Sequence, residues 1–446
     1  MTDPSGSQEQ WRRVRGFLNA SRHDLARSVQ HRYPPSWRVA GTPMLARPEW
    51  IPAAPVALDE VTLSWRPGGD ADPPSDGPLL DGTGPESAAV RPWRDDGRRF
   101  GSYAAALGAM TRPVLFENRA CYRLLGVRAA PGATGLEFGP GRYFEMNNTS
   151  EAVAHEYAAA ALAAESPVGD LAADDTCARP APYPAAGELP LRSLIGDPTD
   201  LLRRPVMAAV ATLVLRAGRP GGDTDMILHW RDPARVATGG GLYQVAPVGM
   251  FQPSHDAAWN LANDFSLWRA IVRELAEELL GAGEDYHSDA APIDYQRWPL
   301  HAALADARQA GTLRVHWLGL GLDPLTLVVD MLTVAVFDAP VFDAVFAGLV
   351  SANAEGRLLT GQDATGTTVG IPFAPRPWSA SRPPSPCRPP ALPSFASAGA
   401  TGTRCFGAER SHSPGAIGVD GPWVRFFWSE GSGRGCGGWV VWAGGW

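Results

Sequence analysis

The chain contains no lysine; all 39 of its basic residues are arginine. A phosphate-binding P-loop needs a lysine at a set spacing after its glycines, so Gly239-Gly240-Gly241 reads instead as a hairpin or flexible turn. Cysteine is scarce. The five are Cys121, Cys177, Cys387, Cys405 and Cys436, with no two at Cys-x-x-Cys spacing, which argues against a zinc knuckle or a disulfide framework. No apolar run reaches the roughly 18 residues of a membrane span. The longest, residues 325–337, is broken by Asp330 and Thr333 and reads as a buried strand. The N-terminus lacks a charged-then-apolar leader pattern, so a reduced cytoplasmic protein is expected. Positive charge is in deficit as well: the net charge of −8 argues against nonspecific binding to nucleic acid.

What is present is a chain of 446 residues, 45% hydrophobic and 19% charged, long enough for a sizeable core. Abundant Ala, Gly, Pro and Arg point to GC-rich coding DNA rather than to an activity. Residues 11–30 carry Trp11, Val14, Phe17, Leu18, Leu25 and Val29 on one side of a helix, with Arg12, Arg13, Arg15 and Arg22 making it basic. Tyr33-Pro34-Pro35 follows where a helix-turn-helix would need its second helix, so a docking helix is expected. Residues 66–92 are rich in Pro, Gly and Asp and read as a linker. Residues 93–204 form a second α/β region. Its alanine-rich helix, 141–165, holds His155 and Glu156, but position 159 is alanine, which removes a His-Glu-x-x-His zinc motif. His155 is expected on a helix face or in the core.

The region 205–372 is the most regular. Strands are expected at 207–216, 226–230 and 242–251, a helix at about 266–280, another at 297–309, strands at 313–320 and 325–337, and a last helix at 340–350. From about 373 the composition shifts. Six of the sixteen tryptophans and three of the five cysteines fall there, with only Glu409, Asp420 and Glu430 as acids. Residues 373–446 are expected to be a disordered low-complexity tail, the product of an out-of-frame reading of GC-rich DNA.

The chemistry concentrates at residues 273–281, Arg-Glu-Leu-Ala-Glu-Glu-Leu-Leu-Gly. In a helix, positions i, i+3 and i+4 share a face, so Glu274, Glu277 and Glu278 can converge on one hard cation. The same residues also describe an ordinary amphipathic helix, with Glu274 and Glu278 in solvent and Arg273 paired with Glu277. The stretch resembles the box motif of Nudix pyrophosphohydrolases through Arg273, Glu274, Leu275, Glu277 and Glu278. It departs from that box in three ways. The closing glycine, Gly281, falls one residue late. Gly249, the best match to the opening glycine, leaves about ten extra residues before Arg273. Phe265 stands where the loop glutamate belongs, with Asp264 beside it.

The resemblance implies an α+β fold, a mixed sheet flanked by helices as a Nudix-like α/β/α sandwich. It implies Mg²⁺ or Mn²⁺ held by Glu274, Glu277 and Glu278, and a nucleotide-like small molecule as partner. Catalysis would rest on Glu277 and Glu278, with Arg273 positioning the helix carboxylates. Asp264 is a candidate substitute for the loop glutamate, and His255 and Asp256 are within the inserted loop. Trp230, Trp259, Trp268 and Tyr243 are candidates to stack on a base. Such domains also serve as non-catalytic ligand-binding regulators or sensors, and the rebuilt loop keeps that alternative open. A structural protein with surface glutamates is the third reading. Residues 1–65 are expected to be a separate docking segment.

Overall fold

The structure, a computed structural model, describes residues 3–39, 41–67, 79–130, 133–165, 189–218, 224–237, 239–284, 286–359, 361–362, 368–373, 423–430 and 437–444. Its helices are α1 (Pro4–Val29), α2 (Tyr103–Met110), α3 (Tyr143–Glu165), α4 (Pro190–Ile195), α5 (Ala258–Asn263), α6 (Leu267–Glu274), α7 (Pro299–Gln309) and α8 (Ala339–Val345). Its strands are β1 (Val56–Ala57), β2 (Val61–Trp65), β3 (Ala120–Ala130), β4 (Ala133–Arg142), β5 (Ala209–Ala217), β6 (Thr224–Met226), β7 (Leu228–Arg231), β8 (Tyr243–Val245), β9 (Val248–Met250), β10 (Leu313–Leu322), β11 (Val329–Asp338), β12 (Gly356–Leu359), β13 (Gly361–Gln362), β14 (Thr368–Val369), β15 (Ile371–Pro372), β16 (Trp423–Glu430) and β17 (Gly437–Gly444).

The fold is mixed α+β. The main sheet runs β1-β10-β11-β5-β6-β15, with β9 also paired to β5. Its strands pair antiparallel except β11 and β5, which run parallel. Alternation along β5 shows how it is buried on both faces. Val210 and Val214 point into one core with Ile271, Leu275, Leu304 and Phe342 from α6, its extension, α7 and α8. Ala209, Ala211, Leu213 and Leu215 point the other way, against Leu228 and Val245 of β7 and β8. Helices thus cover one face, while strands of a second sheet, ordered β12-β7-β8-β17-β16, pack on the other. Between these apolar residues the buried Thr212 and Thr333 hydroxyls satisfy each other at 2.8 Å.

Two expected strands each divide between the sheets. The 226–230 segment splits at the buried Ile227, so β6 joins the main sheet and β7 the second. The 242–251 segment splits at Ala246-Pro247, because proline has no N–H to continue a ladder. The segment 1–65 is stitched into the rest rather than docked as a unit. β1 pairs with β10, β2 pairs parallel with β4, and Leu45 bridges Leu322. One buried cluster includes Trp11, Tyr122, Val214 and Leu358, so the core does not divide at residue 205. In the tail, residues 374–422 lie outside the described residues; β16 and β17 pair as an antiparallel hairpin, and β17 meets β8 at Gly438. Among the described residues, no helix is long and apolar enough to cross a membrane.

Helix α1 is capped by Asp3, whose side chain accepts from the Gly6 N–H at 3.1 Å. Its buried face is Trp11, Val14, Leu18, Leu25 and Val29, but Arg15 and Arg22 lie on that face too. They are buried because α3 brings Glu151, fully buried, between them. Arg22 donates to both Glu151 oxygens at 3.1 and 2.8 Å, and Arg15 pairs with the same carboxylate while donating to the Ala237 carbonyl at 2.7 Å. Much of the basic surface expected for this helix is therefore interior.

His155 lies beside this cluster, as a core residue. It stacks on Trp11 with ring centroids 5.0 Å apart, and its Nδ1 is 3.2 Å from the Tyr103 hydroxyl. Burial, reinforced by Arg15, lowers its pKa to about 3. His23 is lowered to about 3 as well, by burial and Arg27. The unfolded chain takes up these protons below about pH 6.5 and the folded chain does not. Stability should therefore be full above pH 6.5 and fall toward pH 3, by up to about 1.4 kcal/mol per pH unit for His155 and by less for the half-buried His23, which solvent screens. Urea unfolding at pH 7, 6 and 5 measures the slope. His155→Phe should reduce it, and an unchanged slope would remove His155 as its source.

Candidate active site

Ser266 caps α6, its side chain accepting from the Arg269 N–H. Leu267, Ala270, Ile271, Leu275 and Leu279 form the buried stripe that fixes the helix on the main sheet. From Leu275 to Leu279 the helix widens into a π turn. In a wider turn the i+4 residue no longer completes one revolution, so Glu277 and Glu278 are rotated from where a regular helix would place them. Such turns are frequent at functional sites.

The consequence is that the three glutamates separate. Glu274 and Glu277 are half-buried and line a cavity of about 700 Å³. Glu278 is 3% exposed and is not part of the cavity wall. Its Oε1 accepts from the Val248 N–H at 2.8 Å, and its Oε2 is 3.3 Å from His229 Nδ1. The expected convergence of all three carboxylates on one cation is corrected accordingly. Among the described residues, the ligand-spaced group is His229, Glu278 and Glu355, with donor atoms within 4.8 Å of one another.

Electrostatics set Glu274 and Glu277 apart from surface acids. The Glu274 carboxyl is held well above the usual range by burial, then by repulsion from Glu277, Glu278 and Glu355. Burial pushes Glu277 up to about 7, opposed by the Tyr286 hydroxyl, which donates to it at 2.6 Å. Asp330 on β11, also in the wall, is pushed up to about 7 by burial and by Asp323. Several carboxyl groups thus face one cavity in an environment that disfavours their negative charge. Gly249 is tied to this arrangement, because a Cβ there would overlap the Glu274 carboxylate.

Arg273 does not reach the helix carboxylates. It donates to the Tyr295 hydroxyl at 2.7 Å and to the Gln252 carbonyl at 2.6 Å, and lies 3.6 Å from Asp264. Asp264, fully buried, accepts from the Ser254 N–H and hydroxyl, both at 2.7 Å, and from Tyr295 at 2.8 Å. Neither belongs to the cavity wall. Arg273, expected in the catalytic set, and Asp264, expected as a loop ligand, together clamp the inserted loop to the helix. Asp256 pairs with Arg142 at 3.0 Å and is not part of the cavity wall, whereas His255 does line the cavity.

The anticipated base-stacking residues lie elsewhere. Trp268 is covered by the Arg308 guanidinium at 4.4 Å and Trp230 by Arg357 at 5.0 Å; Trp259 donates to the Ser288 carbonyl. Neither these three nor Tyr243 lines the cavity, which instead presents Phe116, Tyr143 and Tyr286. Its arginines include Arg119, bound to Glu284 at 2.7 Å, and Arg231, bound to Glu355 at 2.9 Å. Sequence reasoning missed Glu355, His229 and Tyr286, which stand in no motif. Asp330 had a signal, an acid inside an apolar run. No protein-family model matches the chain, and no curated protein matches it.

Proposed function

We propose that the cavity beside α6 is the site of a Nudix-like, metal-dependent phosphohydrolase acting on a nucleoside diphosphate-linked substrate. The observation that carries this reading is the pair Glu274 and Glu277, two half-buried carboxylates with raised pKa facing one cavity while Arg273 is turned to Asp264. An all-oxygen donor pair in such surroundings fits Mg²⁺ or Mn²⁺, and Glu274 and Glu277 would hold the ion. When bound, the ion would neutralise phosphate charge and acidify water. Tyr286 fixes the Glu277 carboxylate by its hydrogen bond. Arg119 and Arg231, each paired with a glutamate, bring positive charge to the wall where a diphosphate would lie, and Tyr143 offers a ring for a base.

The test is release of phosphate or nucleotide from a panel of nucleoside diphosphate derivatives by the full chain, with Mg²⁺ or Mn²⁺ and with chelator. Turnover is expected with metal and not with chelator. Folded protein that turns over nothing across the panel would overturn the hydrolase. A ligand-binding regulator is then the reading to pursue, and the withdrawal of Glu278 and saturation of Asp264 favour it. Nucleotide binding without turnover would identify it.

Gly249→Ala probes the same geometry. The Glu274 carboxylate ends a flexible chain and can swing aside, so the stability cost should stay near about 1 kcal/mol, the low end for overpacking. Turnover should fall by about tenfold or more, because the displaced carboxylate is a proposed ion ligand. A variant with full activity would separate Glu274 from the chemistry.

A further inference from the structure

We propose that His229, Glu278 and Glu355 form a second cation site, suited to a transition ion that accepts an imidazole nitrogen beside carboxylates, such as Mn²⁺, Zn²⁺ or Co²⁺, rather than to Mg²⁺. The inference does not rest on hydrolysis. It rests on a buried imidazole that local hydrogen bonding leaves unexplained. His229, on β7, is fully buried, and neither of its ring nitrogens makes a hydrogen bond among the described residues. Oε2 of Glu278 is likewise buried without a hydrogen bond, and Oε2 of Glu355, 2.9 Å from the Arg231 guanidinium, turns toward the same place. A buried donor or acceptor left unsatisfied is costly, so the imidazole and the Glu278 oxygen facing each other call for a common partner.

A simple imidazole–carboxylate hydrogen bond does not fit. Nδ1 of His229 is 3.3 Å from Oε2 of Glu278, yet the oxygen lies outside hydrogen-bonding directions of the ring. Two ligands on one ion have this relation. At metal–ligand bonds of about 2.0–2.1 Å, neighbouring donors of a tetrahedral site stand roughly 3.4 Å apart and each points to the shared centre.

The surroundings hold the donors in place as a second layer of contacts does in metal sites. The Val248 N–H occupies Oε1 of Glu278 and leaves Oε2 toward His229. Arg231 pairs with Glu355 at 2.9 Å. Pairing of β12 with β7 places Glu355, just before β12, next to His229. On the far side of the ring, Nε2 lies 2.9 Å from where a Cβ on Gly356 would stand, which confines the imidazole. Glu355 also lines the large cavity, giving an ion a path inward. One imidazole and two carboxylates form a donor set that transition ions accept, and three protein ligands leave a position open.

The experiment is pulsed electron paramagnetic resonance of Mn²⁺ added to chelator-stripped full-length protein, with excess Mg²⁺ present to compete for oxygen-only sites. The wild type should show modulation from a directly bound imidazole nitrogen. His229→Gln should lose it, and Glu274→Gln, altered in the cavity, should keep it. Mn²⁺ bound without nitrogen modulation in the wild type, or no retained Mn²⁺, would overturn the site, and this reading needs no variant to fold. An unchanged nitrogen signal in folded His229→Gln would overturn it equally. Hydrolysis is measured separately, so failure here leaves the reading of the Glu274 and Glu277 cavity standing.

Discussion

Glu151→Gln should lower the unfolding free energy by about 3–5 kcal/mol, the usual cost of removing one partner from a buried charge network. Glu151 is fully buried and shared by Arg15 and Arg22, which are 5% and 3% exposed. Burial works against its charge, but the two guanidiniums prevail and hold its carboxyl down at about 2. Removing that charge strands two buried cations against a neutral amide. Against a total of about 5–15 kcal/mol, this threatens folding at physiological temperature. The carboxylate's contribution is present above the unfolded value near 4.5 and is lost as pH falls toward 2. Denaturant titration at pH 7 measures the effect. A triple change, Arg15→Met, Arg22→Met and Glu151→Leu, should recover most of the loss, since it removes the stranded charge along with its partner. A loss below about 1 kcal/mol in Glu151→Gln would mean that water reaches the cluster and screens it.

Glu277→Gln should abolish most turnover while leaving the protein as stable as the wild type or more so. The two effects share one cause. Burial pushes the Glu277 carboxyl up to about 7, so its negative form is disfavoured in the fold. Because the folded value exceeds the unfolded one, ionisation above pH 4.5 costs stability, and a neutral amide escapes that cost. A gain of about 1 kcal/mol at pH 8 is expected, with Tyr286 still able to donate to the amide oxygen. Loss of a group that orients water or an ion costs about 10²–10⁴-fold in rate. Turnover numbers and thermal melting of the same preparation decide it. Retained activity would displace the site from α6, and a large destabilisation would mark Glu277 as structural. Such a trade of stability for activity is common where a charge is kept in an unfavourable place.

Much of the secondary structure could be read in advance because its cause is local. The apolar run of 207–216, the stripe of Trp268, Ile271, Leu275 and Leu279, and the apolar runs of β10 and β11 each need only period and composition. The division of 226–230 and 242–251 between two sheets could not be read, because each half satisfies the same strand pattern. Only the competition of two sheets for partners separates Met226 from Leu228 and Val245 from Val248.

For the site, residue types and spacing along 273–278 were enough to mark a carboxylate-bearing helix, while Gly249 entered only as the best match to the opening glycine of the box it resembles. Glu274 and Glu277 do share a cavity. That Glu278 turns to Val248 and His229 follows from a π turn, and a π turn depends on how the helix seats on its sheet. That Arg273 finds Asp264 rather than Glu277 depends on where the inserted loop folds back. Arg15 and Arg22 make the same point at the other end of the chain. As letters they read as a basic helix surface, and only α3, arriving with Glu151, makes them interior. Sequence by itself determined what can be argued within one element: its period, its caps and the kinds of side chain it carries. The tertiary structure decided every pairing across elements, because a charge chooses among partners by distance and dielectric, and both exist only once the chain has closed on itself.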